Sequence, residues 1–358
     1  MPGGRIPIRM KRRGVEGGAL RNGALFVWNV PRESISARLG ISARVRLFAR
    51  VTLLAMAAGF GTAVAQPAAQ KAAQPLSVVQ LEPGLYFHRG QDNVATRENG
   101  GDIANVGFIV GSRCVAVIDT GGTATEGHAL RAAIRAVTPL HVCYVINTHM
   151  HPDHIFGNVA FAADHPQFVG SATLAEAEAS HEESYMRALK RELGDLADGS
   201  VIVPPTLPVT GSLKLDLGKR VLRLQTWKTA HTNNDLTVYD EASGTLIAGD
   251  LLFAGCIPVI DGAVLGWLDD IAAIRAMNPR RVEPGHGPLD APWREALAAQ
   301  EAYLSHLVRD VRAAIKQGKT MQQAVDTIGQ DERGKWRLFD IYHRRNVTAA
   351  YAELEWEQ

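Results

Sequence analysis

Cysteine is scarce in this chain: Cys114, Cys143 and Cys256 are the only three in 358 residues. An odd count excludes a complete disulfide framework. Cys114 and Cys143 lie in strand-like apolar runs and read as small buried hydrophobes rather than as a bridge. Cys256 follows Asp250 closely enough to approach any site formed there. Charge of one sign is lacking too, because 38 Lys and Arg against 37 Asp and Glu leave a net charge of +1. With no basic stripe interleaved with aromatics, nothing in the electrostatics argues for a nucleic-acid partner. The G-x-S-x-G turn of serine hydrolases is missing. Gly318-Lys319-Thr320 echoes the end of a phosphate loop, but Ala313 stands where the earlier glycine is required. What is present is an apolar fraction of 46%, ordinary for a globular protein with a full core.

Residues 1–43 show frequent Gly, Arg and Pro and no sustained apolar period. Arg44, Arg46 and Arg50 then precede the apolar run Val51 to Val64, which ends in Ala63-Val64-Ala65 before Gln66. A basic region, a hydrophobic region and a small-x-small site describe a secretory signal. The run is shorter than the roughly 20 residues that span a bilayer, so cleavage is favoured over an anchor and no stable span is expected afterwards. The expected organisation is a leader over 1–65 with its signal at 44–65, a linker over 66–75 rich in Ala, Gln and Pro, and one domain over 76–358. The expected location is a bacterial periplasm.

The informative stretch is Thr148-His149-Met150-His151-Pro152-Asp153-His154, directly after the strand-like run Val142 to Asn147. His149 and His151 are two apart and project to one side of an extended segment. Pro152 ends that segment, so Asp153 and His154 can aim elsewhere. Two ligand pairs with different aim suit two metal ions side by side. Further candidates stand at strand ends or Gly/Pro turns, where functional residues of layered folds collect: His231 after Leu222 to Ala230, Asp250 ending Gly244 to Asp250, and His286 between Gly285 and Gly287. Imidazole and carboxylate donors suit zinc, with iron or manganese compatible. His181, in a Glu- and Arg-rich helical pattern over Leu174 to Leu196, reads as a solvated or locally packed side chain.

Around these residues, Ser77 to Leu81, Leu85 to His88, Val106 to Val110 and Cys114 to Asp119 read as strands. Glu126 to Val137 reads as a surface helix leading into the strand before His149. Pro204 to Pro208 reads as an irregular connection. Leu213 to Leu215, Val221 to Leu224, Leu236 to Tyr239 and Thr245 to Ala248 repeat the strand-rich pattern. Helical periodicity marks Trp267 to Met277 and the tail, namely Trp293 to Gln317, Met321 to Ile328 and Phe339 to Trp356. Two strand-and-helix halves giving ligands to a shared edge fit a four-layer αβ/βα sandwich. The helical part over 293–358 closes it.

The order H-x-H-x-D-H, a lone His, a Gly-Asp and a Gly-His-Gly, running from about Leu85 to His286, resembles the metallo-β-lactamase superfamily of binuclear metallohydrolases. The resemblance implies that His149, His151 and His231 hold one ion and that Asp153, His154 and His286 hold the second. Asp250 then bridges them, and Asp119 supports the ligand loops from beneath. Asp153 and Asp250 are the candidate catalytic carboxylates. The implied chemistry is hydrolysis of a small-molecule thioester, ester or lactam by hydroxide held between two zinc ions. An Asp at 250, where several β-lactamase branches carry Cys or Ser, argues against assigning antibiotic hydrolysis. The wording His-Pro-Asp-His-Ile-Phe-Gly-Asn, His-Thr-Asn-Asn-Asp-Leu-Thr and Ala-Gly-Asp-Leu-Leu-Phe looks most like the periplasmic branch associated with sulfur oxidation and quinoprotein dehydrogenase systems. Two alternatives stay open: a mononuclear iron enzyme acting on persulfides, and a non-catalytic, metal-stabilised partner of a periplasmic redox system.

Overall fold

The computed structural model describes residues 73–357. The leader, its signal and the linker up to residue 72 lie outside the described residues. Ala73, Gln74 and Pro75 are exposed and irregular.

Seven strands form the first sheet in sequence order. These are β1 (Val79–Glu82), β2 (Leu85–His88), β3 (Val106–Val110), β4 (Val115–Ile118), β5 (Val142–Ile146), β6 (Gln167–Ser171) and β7 (Leu207–Val209). The pairs from β1 to β4 are antiparallel and those from β4 to β7 parallel. The second sheet holds β8 (Ser212–Asp216), β9 (Val221–Thr226), β10 (Leu236–Asp240), β11 (Thr245–Phe253) and β12 (Arg281–His286), with β12 beside β11. Its strands are antiparallel except for the parallel β11–β12 pair. Helices α1 (Ala124–Val137), α2 (Pro152–Ile155) and α3 (Leu174–Leu193) belong to the first half. Helices α4 (Val264–Met277), α5 (Trp293–Lys316), α6 (Met321–Thr327) and α7 (Phe339–Leu354) belong to the second.

Four layers follow from the alternation of side chains along each strand. Ile109, Ala116, Ile118 and Ile146 point to the second sheet, where they meet Leu222, Leu224, Val238 and Ile247. Their neighbours Phe108, Val115, Val117 and Val145 point the other way, onto Leu130 and Ile134 of α1. On the far side, Leu246, Ala248 and Leu251 pack under Trp267 and Ile271 of α4 and Leu304 of α5. Strands covered on both faces read as continuous apolar runs, and β4 is buried at every position.

Several boundaries differ from the sequence expectation. Asp250 does not end its strand, because β11 continues to Phe253. Pro204 to Pro208 is not wholly irregular: Leu207–Val209 pairs with β6. The Gly/Pro segment before His286 is the strand β12. Gln167–Ser171 is a strand that the sequence reading did not mark. Cys114 and Cys143 are not separate buried thiols. They form a disulfide across neighbouring β4 and β5, with Cα atoms 5.8 Å apart, a distance that parallel pairing of Val115 with Val142 sets up.

The C-terminal helices close the second sheet and also fix the loop after β11. Asn346 of α7 donates to the Pro258 carbonyl at 2.7 Å and accepts from the Ile260 N–H at 3.0 Å. Glu353 accepts from the N–H groups of Val264 and Leu265, capping α4, whose own N-cap Ala263 has no side chain to do so.

Candidate metal centre

Strand β5 delivers the H-x-H-x-D-H segment at the carboxyl edge of the first sheet. Asp119, just past β4 in the left-handed region (φ 53°), anchors it from below. Its Oδ1 accepts from the Thr148 N–H at 2.8 Å, and its Oδ2 accepts from the Thr148 hydroxyl at 2.8 Å and from His154 Nδ1 at 2.9 Å. A side chain in that backbone region costs on the order of 1–3 kcal/mol, and these three bonds oppose the cost. Pro152 opens α2 just after His151, which turns Asp153 and His154 away from the first pair. From the second sheet, β11 brings Asp250 and β12 brings His286. They come together because Gly285 has no Cβ: one there would lie 1.9 Å from Asp250 Oδ1.

All seven residues converge as two groups, His149, His151, His231 and Asp250, and Asp153, His154 and His286. Within each group one ligand atom per residue lies within 4.8 Å of the others. Asp250 also faces the second group, with His154 Nε2 at 3.3 Å from its Oδ1 and His286 Nε2 at 3.2 Å from its Oδ2. His231 Nε2 lies 3.3 Å from Oδ2 as well.

The hydrogen bonds identify which ring nitrogens carry protons. His231 Nδ1 donates to the Val259 carbonyl at 2.6 Å and His286 Nδ1 to the Ile103 carbonyl at 2.9 Å. His151 Nε2 donates to the Asp261 carboxylate at 2.9 Å and His154 Nδ1 to Asp119. The Thr148 hydroxyl donates to Asp119, so its oxygen accepts from His149 Nδ1 at 3.0 Å. The other nitrogen of each ring is turned inward, toward the centre of the cluster. Three of them, on His149, His151 and His231, lie only 2.9–3.3 Å apart with no proton between them. Three acceptors that close repel unless a cation sits among them. Zinc–nitrogen bonds of about 2.0–2.1 Å in a tetrahedron would separate ligands by about 3.3 Å. His154 Nε2 and Asp250 Oδ1 are buried without any hydrogen-bond partner, as metal ligands would be. The donor set fits the implied ions.

Charge is distributed to match. Burial, and then neighbouring His154, keep His149 well below 6.5, and burial takes His231 down to about 3. Both offer lone pairs at any physiological pH. Burial opposes a charge on His154 and His286, yet Asp250 and the other carboxylates near them raise both above 6.5. Burial likewise opposes ionisation of Asp250, but His286, His154 and His149 hold it well below the usual carboxylate range.

Residues that the sequence reading did not single out complete the support. Asp261 accepts from His151 and from Arg345, and the hydrogen bond from His151 holds it well below the usual carboxylate range. Asp235 accepts from both the N–H and the hydroxyl of Thr232, beside His231. The Asp-Gly pair at 261–262, breaking an apolar run, is the signal that could have marked the first. His181 bonds the Ala177 carbonyl and stacks on Tyr185, a locally packed side chain as expected. Cys256 does reach the ligand cavity. Burial and nearby Asp92 push its thiol up to about 11, which keeps it protonated and unreactive at neutral pH.

The ligands floor a cavity of about 230 Å³ walled by Phe253, Ile257, Tyr185, Tyr342 and Arg345. No curated protein sequence matches the chain. Among solved structures, it is similar to the stereoselective inverting sec-alkylsulfatase of Pseudomonas sp. (17% identity, TM-score 0.62, 78% of this chain and 50% of that one). It is also similar to a metallo-beta-lactamase family protein of Thermus thermophilus (21%, 0.57, 77% and 94%). A metallo-beta-lactamase from Pontibacter korlensis gives 18%, 0.53, 64% and 99%. The chain thus spans half the length of the sulfatase, and identities this low speak to the fold alone. The model of the metallo-beta-lactamase superfamily matches residues 99–305. By that match over more than half its length, and by its two-sheet fold with a His/Asp cluster at the sheet edges, the chain belongs to the metallo-beta-lactamase superfamily, whose members are mostly metal-dependent hydrolases.

Proposed function

We propose that the chain is an exported hydrolase that holds two zinc ions and cleaves a small-molecule ester, thioester or lactam. The observation that carries this is the convergence of five imidazoles with the carboxylates of Asp153 and Asp250 in two adjoining groups, of which His151, His231, His286 and both carboxylates line one cavity. Two ions bound there would supply a water acidified toward neutrality and an electrophilic anchor for a carbonyl oxygen. The chain's own residues do the rest. Asp250, buried and ionised, faces both groups and holds them together. Asp119, Asp261 and the carbonyls of Ile103 and Val259 fix the ring orientations, and Phe253 and Ile257 give the cavity an apolar wall. The completeness of the second group, with His154 Nε2 orphaned, favours two ions over the mononuclear iron alternative.

Export is supported by the basic-apolar-small pattern ending at Ala65 and by the Cys114–Cys143 disulfide, a bond that persists in oxidising compartments. The periplasm and a partner in a sulfur-oxidation or quinoprotein redox system are the finer reading, resting on motif wording alone. Steady-state kinetics on purified protein test the substrate class, with ester, thioester and β-lactam series and a chelator control. Chelator-sensitive ester or thioester turnover with weak β-lactam turnover is expected. A β-lactam kcat/KM above about 10⁴ M⁻¹s⁻¹ would make antibiotic hydrolysis the better reading.

A further inference from the structure

The cleft over the ligands does not end at them. A second cavity of about 560 Å³ adjoins the first. The two share Ile103, Pro152, Asp153, Tyr185, Tyr342 and Arg345, so a ligand carboxylate, Asp153, stands at the neck between them. Beyond the neck the walls turn aliphatic, with Ala95, Ala188, Leu189 and Leu193 carrying no hydrogen-bonding side chain. Leu189 and Leu193 lie on the buried face of α3 and pack with Phe156, Ala95 and Tyr185 in one apolar cluster. Gly101 helps keep the space open: a Cβ there would stand 3.2 Å from Leu193 Cδ1. The charged groups of the second cavity are the neck residues Asp153 and Arg345 and the exposed Glu192.

We propose that this second cavity receives the alkyl chain of an amphiphilic substrate, a medium-chain acyl ester or thioester whose carbonyl lies over the metal ligands. The proposal rests on the hydrolase reading above and adds to it the class of acyl group. A saturated chain asks nothing of its surroundings except removal from water, which aliphatic walls supply. A polar acyl group would leave its hydrogen bonds unmade there. A flexible chain can also turn at the neck, where Tyr185 and Tyr342 present rings from α3 and α7. Burying one methylene changes affinity by about fourfold, so chain length is the natural readout.

Two measurements on the zinc-loaded protein test this. In the first, kcat/KM is measured for straight-chain acyl thioesters from acetyl to decanoyl. It should rise about fourfold per methylene over the first several carbons and then level off as the cavity fills. In the second, calorimetric titration with straight-chain carboxylates from acetate to decanoate should show the same rise in affinity, independent of turnover. Ala188→Trp in α3 and Ala95→Phe in the connection between β2 and β3, which both add bulk to the cavity lining, should each remove most of the advantage of the longer chains in both measurements. Two variants guard against one that fails to fold. Hydrolysis and binding that are independent of chain length would overturn the proposal and leave the hydrolase reading standing. Length-dependent binding with no hydrolysis of any thioester or ester would overturn the hydrolase reading and support the cavity.

Discussion

Each histidine of the cluster has one nitrogen committed to a structural acceptor and the other turned inward, and that division of labour is what makes the site a ligand set rather than a polar cluster. The sequence showed the candidates well, since His149, His151, Asp153 and His154 are crowded into one segment. It could not show their acceptors. Asp261 and the carbonyls of Ile103 and Val259 come from loops distant in the chain, and a carbonyl leaves no trace in residue type. Residue chemistry also sets one pH dependence. Glu283 in β12 is fully buried, neither oxygen accepts a hydrogen bond, and burial raises its pKa to about 8 despite the Arg281 guanidinium 3.5 Å from Oε1. Its folded-state pKa exceeds its unfolded value near 4.5, so the folded state binds the extra proton between them and stability falls as pH rises through that window. Glu283→Gln removes this dependence. The variant should gain on the native protein by a few kcal/mol between pH 5 and pH 8.5 in denaturant melts. An unchanged stability difference across that range would show that Glu283 ionises normally.

At the level of elements, the disulfide ties together the two strands that feed the site, β4 leading to Asp119 and β5 to His149. Closing its 29-residue separation constrains the unfolded chain by about 3–4 kcal/mol on the chain-entropy estimate. Reduction, or Cys114→Ala with Cys143→Ala, should therefore lower the melting temperature by several degrees. Thiol titration of the denatured, unreduced protein should find only Cys256 free; titration of all three cysteines, or melting unaffected by reductant, would contradict the bridge. This pairing was hidden in the sequence because it depends on the parallel register of strands separated by α1. The interior strands β3, β4 and β5 were legible because burial on both faces makes them uniformly apolar. The edge strands β1 and β8 were legible as well, but the edge strands β7 and β12 were not. Pro208 in β7 and Pro284 in β12 look like turn residues, yet proline is tolerated at sheet edges, where one side of the strand needs no partner, and each of these two strands lies at an edge of its sheet.

The described residues form a four-layer sandwich whose two halves meet at the ligand cluster, with α7 reaching back to hold Asp261 through Arg345 and the Pro258–Ile260 loop through Asn346. If the leader acts as a secretory signal, the exported chain begins near Gln66, and intact mass of secreted material should match that start. Retention of residues 51–65 in a membrane fraction would mean an anchor instead. The central claim, that one set of side chains holds two ions bridged by Asp250, is tested most directly by elemental analysis of the purified protein beside its Asp250→Ala variant. The account predicts about two zinc ions per chain, with at least one lost in the variant while its circular dichroism stays native-like. About one iron per chain, or a variant that keeps both zinc ions, would contradict it.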